Sequence, residues 1–111
     1  MSNAPAPDTR MTIVEMQTYD LKSRSPSVVE ARFEAALPQR IKLSPFGAFW
    51  HTEVGVLNRV ILLWPYASEE ARARVQAQEK TLEGWPPEID EHVVARDARV
   101  YTLAPFSPPI M

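Results

Sequence analysis

Cysteine is missing from all 111 residues, which removes disulfides, zinc ribbons and thiol catalysis together. Glycine is scarce: Gly47, Gly55 and Gly84 are all there is, and no pair has the spacing of a phosphate-cradling loop. An excess of positive charge is also missing. Lys and Arg number 12 against 14 Asp and Glu, a formal net charge of -2, so no polycation is present to hold a nucleic-acid backbone or an anionic membrane. The longest strongly apolar run, Val60 to Trp64, is far short of the ~20 residues a membrane span needs. Residues 1–10 have neither the apolar stretch of a signal peptide nor the Arg-rich pattern of a transit peptide, so a cytoplasmic location is the default expectation. The only histidines, His51 and His92, are far apart, and no carboxylate cluster surrounds either at ligand spacing. No metal is therefore expected, and no residue pattern asks for a cofactor.

What is present is ordinary for one soluble globular domain: 45% apolar and 23% charged residues. The expected layout is a mobile lead-in over residues 1–10, one domain over 11–104, and a Pro-rich tail over 105–111. Ser2-Asn3-Ala4 in the lead-in resembles an expression-tag scar.

Thr12 to Tyr19 alternates, with Ile13, Glu15, Gln17 and Tyr19 on one face and Val14, Met16 and Thr18 on the other, which predicts a strand. After a polar loop over Asp20 to Pro26, a helix is expected near Ser27. Ser27 and Glu30 have the spacing of a capping box, and Val29, Phe33, Leu37 and Ile41 recur at four-residue steps as one buried stripe. Pro38 is expected to kink or loosen the last turn. Pro45 to Val54 reads as an aromatic-rich second strand, with Trp50 on one face and Phe49, His51 and Glu53 on the other. Gly55 to Asn58 supplies a turn, and Arg59 to Trp64 a third strand, so the pair forms an antiparallel hairpin.

Pro65 and Tyr66 close that strand. Ser68 caps a second helix, with Glu69 and Glu70 in its first turn, Glu70 paired to Arg74, and Ala71, Val75 and Leu82 facing inward. Trp85-Pro86-Pro87 makes a rigid corner, Pro87 to Glu91 a short helical turn, and Val93 to Leu103 a last strand. The order β-α-β-β-α-β folds into a four-stranded antiparallel sheet with both helices on one face, the ferredoxin-like α+β arrangement. Val60 to Leu63 is apolar at successive positions, which asks for cover on both faces of the sheet. A second copy packed sheet to sheet supplies it, and a two-fold homodimer is expected.

An ordered set of segments completes the reading: Glu15-Met16-Gln17-Thr18-Tyr19, Leu43-Ser44-Pro45, Gly47-Ala48-Phe49-Trp50-His51-Thr52-Glu53-Val54-Gly55, Leu57-Asn58-Arg59-Val60, Trp64-Pro65-Tyr66 and Pro105-Phe106-Ser107-Pro108. Together they resemble the NIPSNAP family over about Ile13 to Pro108, with Gln17 standing where that family often shows Arg. The resemblance implies a ferredoxin-like member of the dimeric α+β barrel superfamily. Eukaryotic members look like mitochondrial proteins tied to vesicle traffic and mitochondrial quality control. The wider superfamily includes cofactor-free monooxygenases, small isomerases and haem enzymes, and at that level the implication is fold analogy.

The candidate chemistry is limited. His51 is the leading candidate, able to act as a base, an acid or a haem ligand if its face meets a pocket, with Glu53 two residues along its strand to orient the ring and Tyr19 as a further polar group. The competing account is a histidine hydrogen-bonded in the sheet or at a dimer seam. Glu15 and Glu53 as a carboxylate pair compete with plain salt bridges to Arg59, Arg96 or Arg99, an account that also covers Asp97. Trp50, Trp64, Tyr66 and Arg59, with Tyr19, are candidates to line a site for a small apolar or aromatic molecule; core and dimer packing is the alternative. Two functions follow from different classes: a dimeric barrel binding such a molecule, or a non-catalytic structural or adaptor module engaging a protein partner.

Overall fold

Strand β1 (Ile13–Leu21) keeps the period-two alternation of its sequence and runs two residues past Tyr19, so Asp20 is a strand residue and not part of a loop. The computed structural model describes residues 10–110; apart from Arg10, the lead-in expected over 1–10 lies outside them. Helix α1 (Pro26–Ile41) starts with Ser25 as its cap and Pro26 in the first turn, where a missing N–H costs nothing. Ser27 is thereby already inside the helix and the expected capping box with Glu30 does not form. The helix passes through Pro38 to Ile41.

The stripe along α1 also differs from expectation. Val29 and Phe33 are buried, but Ile41 is 44% exposed and Arg40 is fully enclosed. Four-residue steps advance about 40° beyond a full turn each, so three of them rotate Ile41 out of the stripe, whereas a seven-residue step from Phe33 to Arg40 returns almost to the same face.

Strand β2 is short (Ala48–His51), because bends occupy residues 53–58 where the sequence predicted strand up to Val54. Strand β3 (Arg59–Tyr66) is correspondingly longer than expected and includes Pro65. Gly47 N donates to Leu63 O and Thr12 N to Tyr66 O, so Pro65, like Leu63, turns its backbone toward the β2 flank. That flank is unpaired beyond Ala48, and the missing N–H interrupts no ladder. Helix α2 (Glu69–Glu79) has the predicted cap, Ser68 Oγ accepting from Ala71 N at 3.1 Å. Arg72 pairs with Glu69 at 2.7 Å, in place of the expected Glu70–Arg74 pair. A 3-10 turn (Asp90–His92) leads into strand β4 (Val93–Thr102).

The sheet order is β2-β3-β1-β4 with every pair antiparallel, the ferredoxin-like α+β fold predicted from the element order. Ile13, Tyr19, Val60, Leu62, Trp64 and Phe49 face the helices and join Val29, Phe33, Val75 and Ile89 in the core. Trp85 closes that core, its ring 5.9 Å from both Phe33 and Trp64. Among the described residues no helix lies over the other face of the sheet. There Ile61 and Leu63 are half-buried, Trp50 is 52% exposed and Tyr101 45% exposed. Almost the whole of edge strand β4 is exposed.

Candidate functional site

Among the described residues, four polar centres involve the side chains named from sequence or adjoin them, and they differ in what they can do. At the first, His51 ends β2 on the helix-facing side, and Glu30 sits one turn into α1. His51 Nδ1 and Glu30 Oε1 are 2.7 Å apart. The pair is open to solvent, with the His51 side chain 57% exposed, and lines a cavity of about 350 Å3 with Pro26, Ser27, Leu57 and Asn58. A carboxylate accepting from Nδ1–H fixes the ring tautomer and leaves Nε2 as the free basic nitrogen. Nε2 has no hydrogen-bond partner among the described residues.

The second centre is closed. Arg40 Nε donates to Glu79 Oε1 at 2.6 Å, one terminal nitrogen to Ser44 Oγ at 2.7 Å and the other to the Tyr66 hydroxyl at 2.9 Å. Its guanidinium lies 4.1 Å from the centroid of Trp64, whose ring also packs 4.5 Å from Phe46. Burial pushes the Tyr66 phenol above its usual range although the nearby Arg40 charge pulls the other way. A cation enclosed on every side, with each of its three nitrogens donating to a protein oxygen, is an anchor between α1, α2 and β3 rather than a place for a ligand.

At the third centre, Glu15 is buried and accepts from Arg72 Nε at 2.7 Å and from Gln17 Nε2 at 2.5 Å. Burial works against the Arg72 charge, but its bond to Glu15 holds its pKa above the usual arginine value. Tyr19 is nearby on the same strand, its ring 5.9 Å from Phe33 with Arg96 5.7 Å above it. Burial raises the Tyr19 pKa, partly offset by Arg96. The fourth centre is on the open face of the sheet, where Arg59 Nε donates to Asp20 Oδ1 at 2.6 Å. That hydrogen bond holds the Asp20 carboxyl below the usual carboxylate range.

The residues named from sequence thus do not converge. His51 and Tyr19 both stand opposite Val60 in the sheet register, on one face but two strands apart, about 10 Å by strand spacing. Glu53 lies in the bend after β2, exposed, and the carboxylate in contact with His51 is Glu30. Trp64 and Tyr66 are enclosed around Arg40, while Trp50 projects from the opposite face. Arg59 reaches the His51 cavity but commits its guanidinium to Asp20. Glu15 bonds to Arg72, not to the arginines expected on neighbouring strands. Sequence reasoning missed Arg40 and assigned Glu30 to a cap. The signal for Arg40 was its seven-residue step from Phe33; for Glu30 there was none short of the fold.

Among the described residues no group of His, Cys, Asp and Glu could hold a metal ion, and no helix is long and apolar enough to cross a membrane.

This fold, with its uncovered sheet face and short β2, defines a ferredoxin-like α+β protein. The sequence model of the NIPSNAP family matches residues 14–108, and the chain belongs to that family. Among solved structures, an uncharacterized NIPSNAP-like domain protein from Burkholderia xenovorans is 29% identical, with 90% of this chain and 91% of that one covered and a TM-score of 0.78. A NIPSNAP family protein from Agrobacterium tumefaciens is 22% identical over 87% of this chain and 97% of its own, also with a TM-score of 0.78. A candidate antibiotic biosynthesis monooxygenase from Nitrosomonas europaea shares the fold at 13% identity, covering 89% and 96% of the two chains with a TM-score of 0.67. No curated protein matches the chain.

Proposed function

We propose that this NIPSNAP protein is a homodimer that binds a small, mostly apolar or aromatic molecule in the cavity beside His51 and Glu30. The observation that carries the reading is the cavity itself. It combines apolar walls from Pro26 and Leu57 with one oriented polar pair, the pattern of small-molecule sites, which are apolar with few fixed polar groups. Its volume of about 350 Å3 lies within the usual range for such sites, ~300–1,000 Å3. The dimer is supported by the uncovered sheet face, on which Trp50 and Tyr101 are exposed beside half-buried Ile61 and Leu63.

Native mass spectrometry, repeated under denaturing conditions, tests both parts. A dimer carrying mass that denaturation releases is the expected result, with His51→Ala lowering the loaded fraction. A monomer refutes the dimer. Dimers that never carry added mass, together with no response to small apolar compounds, refute the binding reading. A second reading, an adaptor that engages a protein partner, is favoured by one observation: Phe106 in the Pro-rich tail is 90% exposed.

A further inference from the structure

We propose that the His51–Glu30 cavity is a proton-transfer site for a small carbonyl compound, with His51 Nε2 as the base that removes a proton from the carbon beside the carbonyl. The proposal rests on the binding reading above and names its chemistry. Three features of the cavity lead to it. The 2.7 Å contact to Glu30 leaves His51 with a defined tautomer and an unpartnered basic nitrogen. The same cavity is lined by Ser27 and Asn58, whose side-chain donors have no partner among the described residues and are free to receive a carbonyl oxygen. The connection from β2 to β3 then carries Val54, Val56 and Leu57, 91%, 56% and 65% exposed, an unusual apolar run for a solvated loop. Leu57 already lines the cavity, so the loop presents apolar cover on the side where an apolar ligand would sit.

The chemistry closes without a further reactant. The C–H bond breaks and its proton goes to Nε2. The released electron pair forms a carbon–carbon double bond as the carbonyl π pair moves onto oxygen, where the Ser27 and Asn58 donors meet the developing charge. The imidazolium that results faces the Glu30 carboxylate. Returning the proton to the same carbon gives exchange with solvent; returning it further along a conjugated ligand gives an isomer. Nothing is oxidised or reduced. Glu30 acts through His51 and is a positioning residue.

The test uses the full chain with phenylacetone in D2O, an apolar ring bearing exchangeable C–H bonds beside a carbonyl. Proton NMR of the probe reads deuterium incorporation, and amide shifts of residues 52–58 read binding. The expected result is incorporation above the buffer rate that falls about 10²-fold or more in His51→Gln. Glu30→Gln should also slow exchange, and ring 15N shifts should change from a single Nδ1–H tautomer to a mixture, a signature that a purely structural role for Glu30 would not produce. Amide spectra of both variants verify the fold; both side chains are solvent-accessible, so folding should survive. Binding with exchange no faster than buffer, or exchange undiminished in His51→Gln, overturns the proton-transfer proposal and leaves the binding reading standing. No amide response anywhere in the cavity also overturns the proton-transfer proposal, and the binding reading falls with it where native mass spectrometry shows dimers that never carry added mass.

Discussion

Removing the partner of the buried guanidinium should destabilise this protein more than removing the guanidinium itself. Arg40 is 0% exposed at its side chain and Glu79 28% exposed. Arginine cannot shed its proton in a protein, so Glu79→Gln leaves a full charge enclosed among Trp64, Tyr66 and Ser44 with its best acceptor weakened. Breaking a buried ion pair from one side costs about 3–5 kcal/mol, and Glu79→Gln should fall in that range. Arg40→Met keeps an aliphatic stem against Trp64 and removes the trapped charge. Glu79 can then turn to water, and the principal loss is the Tyr66 hydroxyl's partner, a cost of about 1–3 kcal/mol. The double variant should cost less than the sum of the singles, since it removes charge and counter-charge together. Urea unfolding at fixed protein concentration measures all three against the parent. A domain of this size loses about 4–8 °C of Tm per kcal/mol, so Glu79→Gln should melt roughly 12 °C lower or more. Glu79→Gln within about 0.5 kcal/mol of the parent, the usual range of a surface change, would refute the account of Arg40 as a fully desolvated anchor.

Three smaller tests accompany it. A Cβ at Gly47 would lie 2.9 Å from Leu63 O and 3.1 Å from Pro65 Cδ, so Gly47→Ala should cost about 1–3 kcal/mol in urea unfolding. His51→Ala should cost no more than about 1 kcal/mol, because its pair with Glu30 is solvent-exposed; a loss of several kcal/mol would show His51 to be a structural residue. The Asp20 pKa is lowered by its hydrogen bond from Arg59. Its contribution is therefore present above the unfolded value of 3.8 and is lost as pH falls through the lower folded value. Asp20→Asn should accordingly lower the urea midpoint at neutral pH, with the gap to the parent narrowing progressively in acid.

Much of the fold was legible in the sequence, and its failures have physical causes. Alternation in β1, the Ser68 cap and the Gly-containing turn are local signals, and each element they mark is present. The ends of β2 and β3 were misplaced because apolar alternation through Val54 is a statement about side chains. A strand ends where its partner's backbone ends, and the bend over 53–58 withdraws that partner. Glu30 was misread for a similar reason. A Ser–x–x–Glu spacing predicts a cap only if Ser lies just outside the helix, and with Pro26 in the first turn the cap falls two residues earlier, at Ser25. Arg40 reads as a surface residue in composition; only its rotation relative to Phe33, together with Glu79 from a distant helix, makes it a core residue. No sequence pattern brings residues 30 and 51 together, since their meeting depends on how α1 packs against β2.

That packing separates the two polar centres on α1, and the separation has a testable consequence. Arg40 and Glu30 lie ten residues apart on the same helix, about 15 Å along its axis. Phe33 stands between them, with its ring 5.9 Å from Tyr19, 5.5 Å from Phe49 and 5.9 Å from Trp85. Phe49 is two residues from His51 on β2, so the Phe33–Phe49 contact fixes the gap that Glu30 must span. The Arg40 anchor fastens the far end of the helix to α2 and β3, and its hydrogen bonds go to Glu79, Ser44 and Tyr66 rather than to β2. If Phe33 is the residue that sets this gap, Phe33→Leu should disturb the His51–Glu30 bond even where the fold survives. Arg40→Met, the comparably placed anchor variant, should leave it intact despite its effect on stability. Ring 15N shifts of His51 report the bond directly: a tautomer mixture is expected in Phe33→Leu and the parent signature in Arg40→Met. The reverse pattern would mean that α1 transmits strain along its whole length, and that the anchor and the cavity form one unit.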